Sequence, residues 1–402
     1  MNPTWPLLPL RELLRPMSRA EPVDPSLTYR ILGAHWYAKG LYVKEAKSGS
    51  EIRAQKLFRV EEGDFVYNRL FGWKGSFAIA TREDHGCYVS NEFPCFSLDL
   101  HRLDPQYLWR YFSRSTLWQE ALGLSTGGTP TSRNRLKEER LLSFQVPLPP
   151  LAEQRRIVTR IEELAAKIDE ARGLRLQTAM EAEALAKSQL AATVDTLVKR
   201  VGSRPLGQLI MEAGYGTSAK CNYERPKGAV PVLRIPNVAS ERVNSDAMKY
   251  GTLSSAELQR VVVSEGDVLV VRTNGSADLV GRCAVVPRLP EPTAFASYLI
   301  RLRCDPKIIS PHYLQLMLKH LRTGGELIDF ARTTAGQYNV SLGRLGGAPL
   351  PVPPLPEQRG IVARMDELQE RVDTLKRLQI ESAAELDALL PSILDKAFKG
   401  DL

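Results

Sequence analysis

Residues 147–158 read PLPPLAEQRRIV, and residues 351–362 read PVPPLPEQRGIV. Nine of these twelve positions match at an offset of 204, close to half of the 402-residue chain. Chance rarely gives such agreement, so the chain is read as two copies of one unit. Weaker echoes extend the repeat. Pro9-Leu10 answers Pro205-Leu206 at an offset of 196, and Glu62-Gly63-Asp64 with Arg69 answers Glu265-Gly266-Asp267 with Arg272 at 203. Tyr107-Leu108 likewise answers Tyr313-Leu314. A growing offset means insertions in the second copy, which surface loops accommodate.

After each PPLxEQ the apolar spacing becomes helical. Ile157, Ile161, Leu164, Ile168 and Ala171 step by fours and threes, as do Ile361, Met365, Leu368, Val372 and Leu375. That is the seam of a coiled coil. Leu386, Leu389 and Ile393 continue it in the second copy, whereas Ala182, Leu185 and Gln189 make a weaker continuation in the first. Prolines ahead of a helix cost nothing, because the first-turn N–H groups have no intrahelical partner. Glu153 and Glu357 then suit the positive end of the dipole. Each helix is predicted to run about 40 residues, or roughly 60 Å, with Pro391 kinking or splitting the second.

The blocks before these helices have another texture. Short apolar runs at 64–67, 76–80, 261–263, 268–271 and 284–286 lie among Gly and Pro and are predicted as strands. Helices are predicted near Tyr107–Leu122 and Tyr313–Leu321. The fold class expected is therefore α+β: two mixed α/β blocks, 1–146 and 200–350, followed by helical regions 147–199 and 351–402 that bury their seams against each other.

Composition narrows the function. Lys and Arg number 54 against 46 Asp and Glu, a net charge of +8, with 43% hydrophobic and 25% charged residues. This is ordinary for a folded protein, with a mild bias toward an acidic partner such as nucleic acid. No run approaches the 18 or so apolar residues of a membrane span. The N-terminus, interrupted by Pro3, Pro6 and Pro9, does not read as a signal peptide. Five cysteines without a CxxC pair argue against a secreted disulfide framework. A cytoplasmic protein is expected.

Catalytic motifs are missing. Without a Gly-Lys dipeptide there is no phosphate-binding Walker A loop, and no GxGxxG follows a strand. Asp104-Pro105-Gln106-Tyr107 lacks the second proline of an amino-methyltransferase tetrad. His85, Cys87, Cys95 and His101 fit no common zinc spacing, and the second copy has no equivalents. The chain is expected to be non-catalytic, binding neither metal nor cofactor itself.

The positive signal is a polar, basic loop before each helix. In the first copy it includes Thr126, Thr131, Ser132, Arg133, Asn134 and Arg135; residues 131–160 carry seven Lys or Arg and three acids. In the second it includes Thr333, Thr334, Gln337, Tyr338 and Asn339. Such side chains hold phosphate oxygens and read base edges, Arg matching guanine and Asn or Gln matching adenine. A second pair of candidates follows a strand in each copy: Arg69 and Lys74 in NRLFGWKG, and Arg272 and Asn274 in RTNGS. The glycines there let backbone approach a phosphate closely. Trp73 and Tyr338 are candidate stacking residues, though packing is the plainer role for both.

The two PPLxEQ blocks, together with the tail LPSILDKAFKGDL at 390–402, resemble the specificity subunit of type I restriction–modification systems. The helix end from Gln189 to Lys199 departs from that pattern in lacking Ala-Phe-x-Gly. The resemblance implies that each α/β block is a target recognition domain, and that the fold is a pseudo-two-fold tandem repeat. It implies that the domains are separated by two long antiparallel coiled-coil helices acting as a spacer, so that a bipartite, asymmetric double-stranded DNA target is read. It further implies docking of two methyltransferase subunits and of restriction motor–nuclease subunits, the complex serving phage defence. Glu153, Gln154, Arg155, Glu357, Gln358 and Arg359 are the docking candidates. S-adenosylmethionine, ATP and Mg would belong to the partners. Two alternatives share parts of this pattern: a coiled-coil scaffold without sequence-specific DNA binding, and the specificity subunit of a related defence modification system.

Overall fold

The computed structural model describes residues 5–127, 134–329, 332–334 and 337–402. The chain divides into two compact units, Met1–Arg175 with Gln379–Leu402 and Leu176–Leu378. Each long helix therefore contributes to both units.

The first unit is built on an antiparallel sheet in the order Leu14–Met17, Cys95–Leu98, Phe65–Tyr67, Phe77–Ile79. The second repeats it as Ile210–Tyr215, Leu299–Cys304, Val268–Val271, Cys283–Val285. The runs FVY and VLVV pair at the interior of these sheets and are fully buried. Aromatic and β-branched side chains suit a pleated surface covered on both faces. The recurring Glu-Gly-Asp is the turn that starts this strand. Gly63 and Gly266 both adopt φ +86°, a conformation glycine takes without strain. Asp64 then accepts from the Glu61 amide at 2.9 Å, and Asp267 from the Ser264 amide at 2.8 Å.

A helix with proline in its first turn follows each sheet, Pro105–Phe112 capped by Asp104 and Pro311–Thr323 capped by Ser310. Each carries a fully buried tyrosine. The Tyr107 hydroxyl donates to the Pro147 carbonyl at 2.8 Å, and Tyr313 to Pro351 at 2.9 Å. These bonds tie the sheet's helix to the proline run that precedes each long helix. At the other end, the Leu10 amide donates to Phe144 and the Leu206 amide to Ala348, both at 2.9 Å. The short motifs that mark the repeat in the sequence thus mark its fastening points.

The long helices span Leu151–Val201 and Leu355–Lys399. In each unit, segments of both run antiparallel. Arg172 pairs with Asp387 at 2.7 Å in the first unit, and Glu183 pairs with Lys376 and Arg200 with Glu357 in the second. The heptad seam is only partly a helix–helix seam. Ile157 and Ile161 sink into the first unit's α/β core together with Leu394, Ala397 and Phe398. Ile361 joins Leu190, Val194 and Leu197 in the second unit's core, whereas Leu185 and Leu389 are exposed.

Three local expectations are corrected. Pro391 does not split the second long helix, which runs through it: it forfeits one backbone bond, while Leu390, Ile393 and Leu394 hold that stretch on the core. Residues 261–263 form no strand. Val261 ends the helix Ser255–Val261 and Val262 makes only an isolated bridge to Ala294, because the Ser254 cap organises a helix ahead of the valines. The helix expected over 107–122 is two, Pro105–Phe112 and Ser115–Leu124.

The units diverge in what is inserted between the first and second strands of the shared sheet in chain order. The first unit carries most of a five-stranded sheet ordered Ala20–Pro22, Lys56–Arg59, Tyr88–Val89, Thr28–Ala34, Leu41–Ser48. The second carries there two strands, Val230–Leu233 and Lys249–Gly251, of a smaller sheet that Ala294–Phe295 completes from farther along the chain. Among the described residues no helix is long and apolar enough to cross a membrane.

Candidate nucleic-acid interface

Both units bring their two candidate segments side by side through the same backbone contact. In the first unit the Leu136 amide donates to the Arg69 carbonyl at 2.9 Å; in the second, the Val340 amide donates to the Arg272 carbonyl at 2.9 Å. The Arg69 amide in turn donates to Glu92, and the Arg272 amide to Tyr298. The loop ahead of the long helix is therefore stitched to the turn after the buried strand, twice, although the loops share little sequence.

In the second unit the stitching is a small sheet, with Thr273–Asn274 paired to Gln337–Asn339 and that strand to Arg332–Thr334. The Arg272 Nε donates to the Asn339 Oδ1 at 3.1 Å, and its guanidinium lies 4.2 Å from the centre of the Tyr215 ring. Asn274 is turned to its own loop, accepting from the Ser276 amide at 2.9 Å. Gln337 is exposed, and Tyr338 is half-buried against the core. Thr333 and Thr334 lie on the Arg332–Thr334 strand.

The first unit is wired differently. Arg69 forms a two-pronged ion pair with Glu138 and also donates to the Asn91 carbonyl. Arg135 pairs with Glu92. Burial alone would raise the Glu138 carboxyl, but the Arg69 hydrogen bond and charge outweigh it and hold it below the usual carboxylate range. Thr126 and Arg135 face each other in an isolated antiparallel bridge, at 3.0 and 2.9 Å, that closes the loop, and Asn134 is buried beside it. Thr131, Ser132 and Arg133 lie outside the described residues. The Lys74 ammonium sits 3.6 Å from the Trp36 ring centre and 5.0 Å from that of Trp73. The Trp73 Nε1 is taken up by the Leu70 carbonyl at 3.0 Å.

The acids Glu92 and Glu138 were missed by sequence reasoning. Their signal is weak, since each touches the loop only through the fold. At the matching positions, set by the shared backbone contacts and the 204 offset, the second unit has Tyr298 and Leu342.

The docking candidates separate into two kinds. Gln154 and Gln358 are fully buried. The Gln154 Oε1 accepts from the Asp104 amide at 2.8 Å, and its Nε2 donates to Arg102 at 2.7 Å and Pro149 at 2.8 Å. Gln358 repeats this with the Ser310 amide at 2.9 Å, Ile308 at 2.9 Å and Pro353 at 2.8 Å. Their expected role toward a partner is corrected: all three bonds of each amide go to its own chain, locking the long helix to the cap of the preceding one. Arg155 and Arg359 are exposed. Glu153 pairs with Arg156 and Glu357 with Arg200. Cys87 and Cys95 are buried, and among the described residues no cluster of His, Cys, Asp or Glu is arranged to hold a metal.

The two units thus share one frame and differ in the polar segments it carries. The model of the type I restriction modification DNA specificity domain matches residues 34–177 and 204–385, and the chain belongs to that family. It is 26% identical over 307 residues to the type I restriction enzyme EcoKI specificity subunit of Escherichia coli (strain K12), covering 73% of this chain and 64% of that one. It is 27% identical over 311 residues to the StySPI specificity subunit of Salmonella potsdam, covering 75% and 66%. The match thus spans slightly under two thirds of either relative. In fold it is similar to the HsdS subunit from Thermoanaerobacter tengcongensis, with a TM-score of 0.65 at 23% identity over all of this chain and 98% of that one. A chain from a structure concerned with complex assembly and conformational transition of the type I R-M system gives 0.72 at 24% identity, each chain covered completely.

Proposed function

We propose that this chain is the DNA-recognition subunit of a type I restriction–modification complex, itself non-catalytic. Each unit reads one half of an asymmetric, two-part double-stranded target. The chain docks methyltransferase and restriction motor–nuclease subunits in the cytoplasm. Adenine methylation and cleavage are then the partners' chemistry, with S-adenosylmethionine, ATP and Mg held by them.

The observation that carries this reading is the paired contact Leu136–Arg69 and Val340–Arg272. One frame, used twice, presents two polar loops of different composition, and two different loops imply two different half-sites. A basic excess and the exposed Gln337 suit phosphate positioning and base readout. A scaffold without DNA binding leaves both loops without a task.

The test is co-expression with the methyltransferase subunit in a host free of adenine methylation, followed by modification-sensitive sequencing. One interrupted two-part motif, lost when this chain is omitted, is the expected result. Methylation at an uninterrupted motif would sink the two-reader proposal, and methylation independent of this chain would sink the assignment.

A further inference from the structure

The five-stranded sheet of the first unit ends in an unusual hairpin tip. Strands Thr28–Ala34 and Leu41–Ser48 are joined through His35-Trp36-Tyr37-Ala38-Lys39-Gly40. Tyr37 and Ala38 hold φ +63° and +52°, conformations that side chains rarely adopt and that persist only when their surroundings enforce them. The surroundings are explicit. The Tyr37 amide donates to Lys74 at 2.8 Å, the Ala38 amide to Gly75 at 2.7 Å, and the His35 amide to Gly40 at 2.9 Å. The Trp109 indole N–H donates to the Ala38 carbonyl at 3.0 Å. Ala38 is buried, whereas Trp36 and Tyr37 remain 41% and 54% exposed.

Strained backbone is thus spent on holding two large aromatic side chains outward. It does so against the Lys74 loop, part of the candidate DNA surface. The rings brace one another without closing over: Trp36 leans on Phe71 with centroids 5.7 Å apart, Tyr37 on Trp118 at 5.5 Å, and His35 stacks on Tyr42 at 4.2 Å. Positive charge lies close by: Lys39 is in the tip itself and the Lys74 ammonium is 3.6 Å from the Trp36 ring centre, while Arg30 and Lys47 lie toward the other end of the hairpin. The patch therefore combines aromatic faces, positive charge and rigidity.

We propose that the His35–Tyr37 tip is a stacking wedge of the first unit, with Trp36 and Tyr37 packing against bases at one step of its half-site while Lys74 holds the adjoining phosphate. The inference rests on the DNA-recognition reading above and adds a contact outside the paired loops. Rings inserted at a base step unstack it and kink the duplex, which makes recognition sensitive to how readily that step deforms.

The experiment uses the chain assembled with its methyltransferase and a duplex carrying the sequenced motif, with 2-aminopurine placed in turn at each adenine of the motif and its flanks. Trp36→Ser, Tyr37→Asn and Trp36→Phe are compared with the unchanged chain. Asn tolerates the left-handed conformation at position 37, so the tip keeps its backbone, and thermal unfolding checks that each variant is folded. Binding should raise fluorescence at one step belonging to a single half of the motif. Trp36→Ser and Tyr37→Asn should each abolish that rise and weaken binding about tenfold, as expected when a stacked base loses its ring, and Trp36→Phe should restore most of both. Fluorescence that stays flat, or affinity unchanged in folded Trp36→Ser, overturns the wedge while leaving the DNA reading intact. An unchanged complex that ignores its own motif overturns the DNA reading, and the wedge with it.

Discussion

The two arginines that leave the buried strands, Arg69 and Arg272, hold matching places in matching frames and live in opposite electrostatic company. Arg69 is clasped by Glu138, and its neighbour Arg135 by Glu92. Arg272 is held by the Asn339 amide oxygen and the Tyr215 ring, neutral partners that orient the guanidinium without cancelling its charge. The placement of the two arginines recurs because the Leu136–Arg69 and Val340–Arg272 contacts are backbone bonds, which unlike sequences can supply. The charge balance does not, because it depends on two side chains that each copy chose separately. Among the described residues, one unit thus presents a cation paired with an acid and the other a cation held by neutral partners.

The largest effect should come from the part the two units share. Removing Gln154 or Gln358 leaves one amide and two carbonyls without partners at a helix junction, and each stranded buried group costs about 1–3 kcal/mol. Gln154→Ala and Gln358→Ala should each destabilise their own unit by roughly 2–4 kcal/mol, by similar amounts. Hydrogen exchange at Phe65–Tyr67 and Val268–Val271 reads the two units separately. Loss of protection in only one variant would break the claim that the junctions are equivalent.

Next in size is the contrast in the arginines themselves. Arg272→Ala should weaken binding to the sequenced motif by about 1–3 kcal/mol and reduce the salt slope by about one. Arg69→Ala should do less, because Glu138 already neutralises much of what it removes. Titration of both variants over a range of salt decides it. Equal losses would mean that DNA displaces Glu138 and that the pairing belongs to the free chain only.

What the sequence could and could not disclose follows the same division. The repeat, the core strands and the long helices were legible because PPLxEQ, Glu-Gly-Asp and the Tyr-Leu pairs recur, and recurrence needs no knowledge of contacts. The candidate segment of the second copy was read as a loop, and its described residues instead form the paired strands Arg332–Thr334 and Gln337–Asn339. The pairing of the candidate segments with the turns after Tyr67 and Val271 was not legible, since a backbone hydrogen bond between residues so far apart leaves no mark on composition. Gln154 and Gln358 were docking candidates only as members of the PPLxEQ block, and a helix places them on a different face from their exposed neighbours Arg155 and Arg359. The Val261–Val263 run misled because a Ser254 cap overrides β-propensity in so short a segment. Trp36 and Tyr37 passed unnoticed because two aromatics in a row look like core until the backbone is seen to turn them outward.

The smallest effect is also the cleanest separation of the units, because it can be read by pH alone. Glu138 titrates below its ordinary value in the folded chain, Arg69 overcoming the opposing effect of burial. A carboxylate with a depressed folded pKa contributes stability that is fully present above its unfolded value, about 4.3. That contribution is lost as pH falls through the lower folded value. The first unit should therefore lose stability in this acid window more steeply in the unchanged chain than in Glu138→Gln, whose side chain carries no titrating group. The second unit has Leu342 in that position, so Leu342→Ala should leave the slope of its acid limb unaltered whatever it does to packing. Thermal unfolding followed from neutral pH down to about pH 3, in steps across the Glu range, supplies both comparisons. Parallel acid limbs for the unchanged chain and Glu138→Gln would mean that the Arg69 pair contributes nothing to folding. Its cation would then be as free to meet a phosphate as that of Arg272, and the contrast between the two units would have to rest on sequence alone.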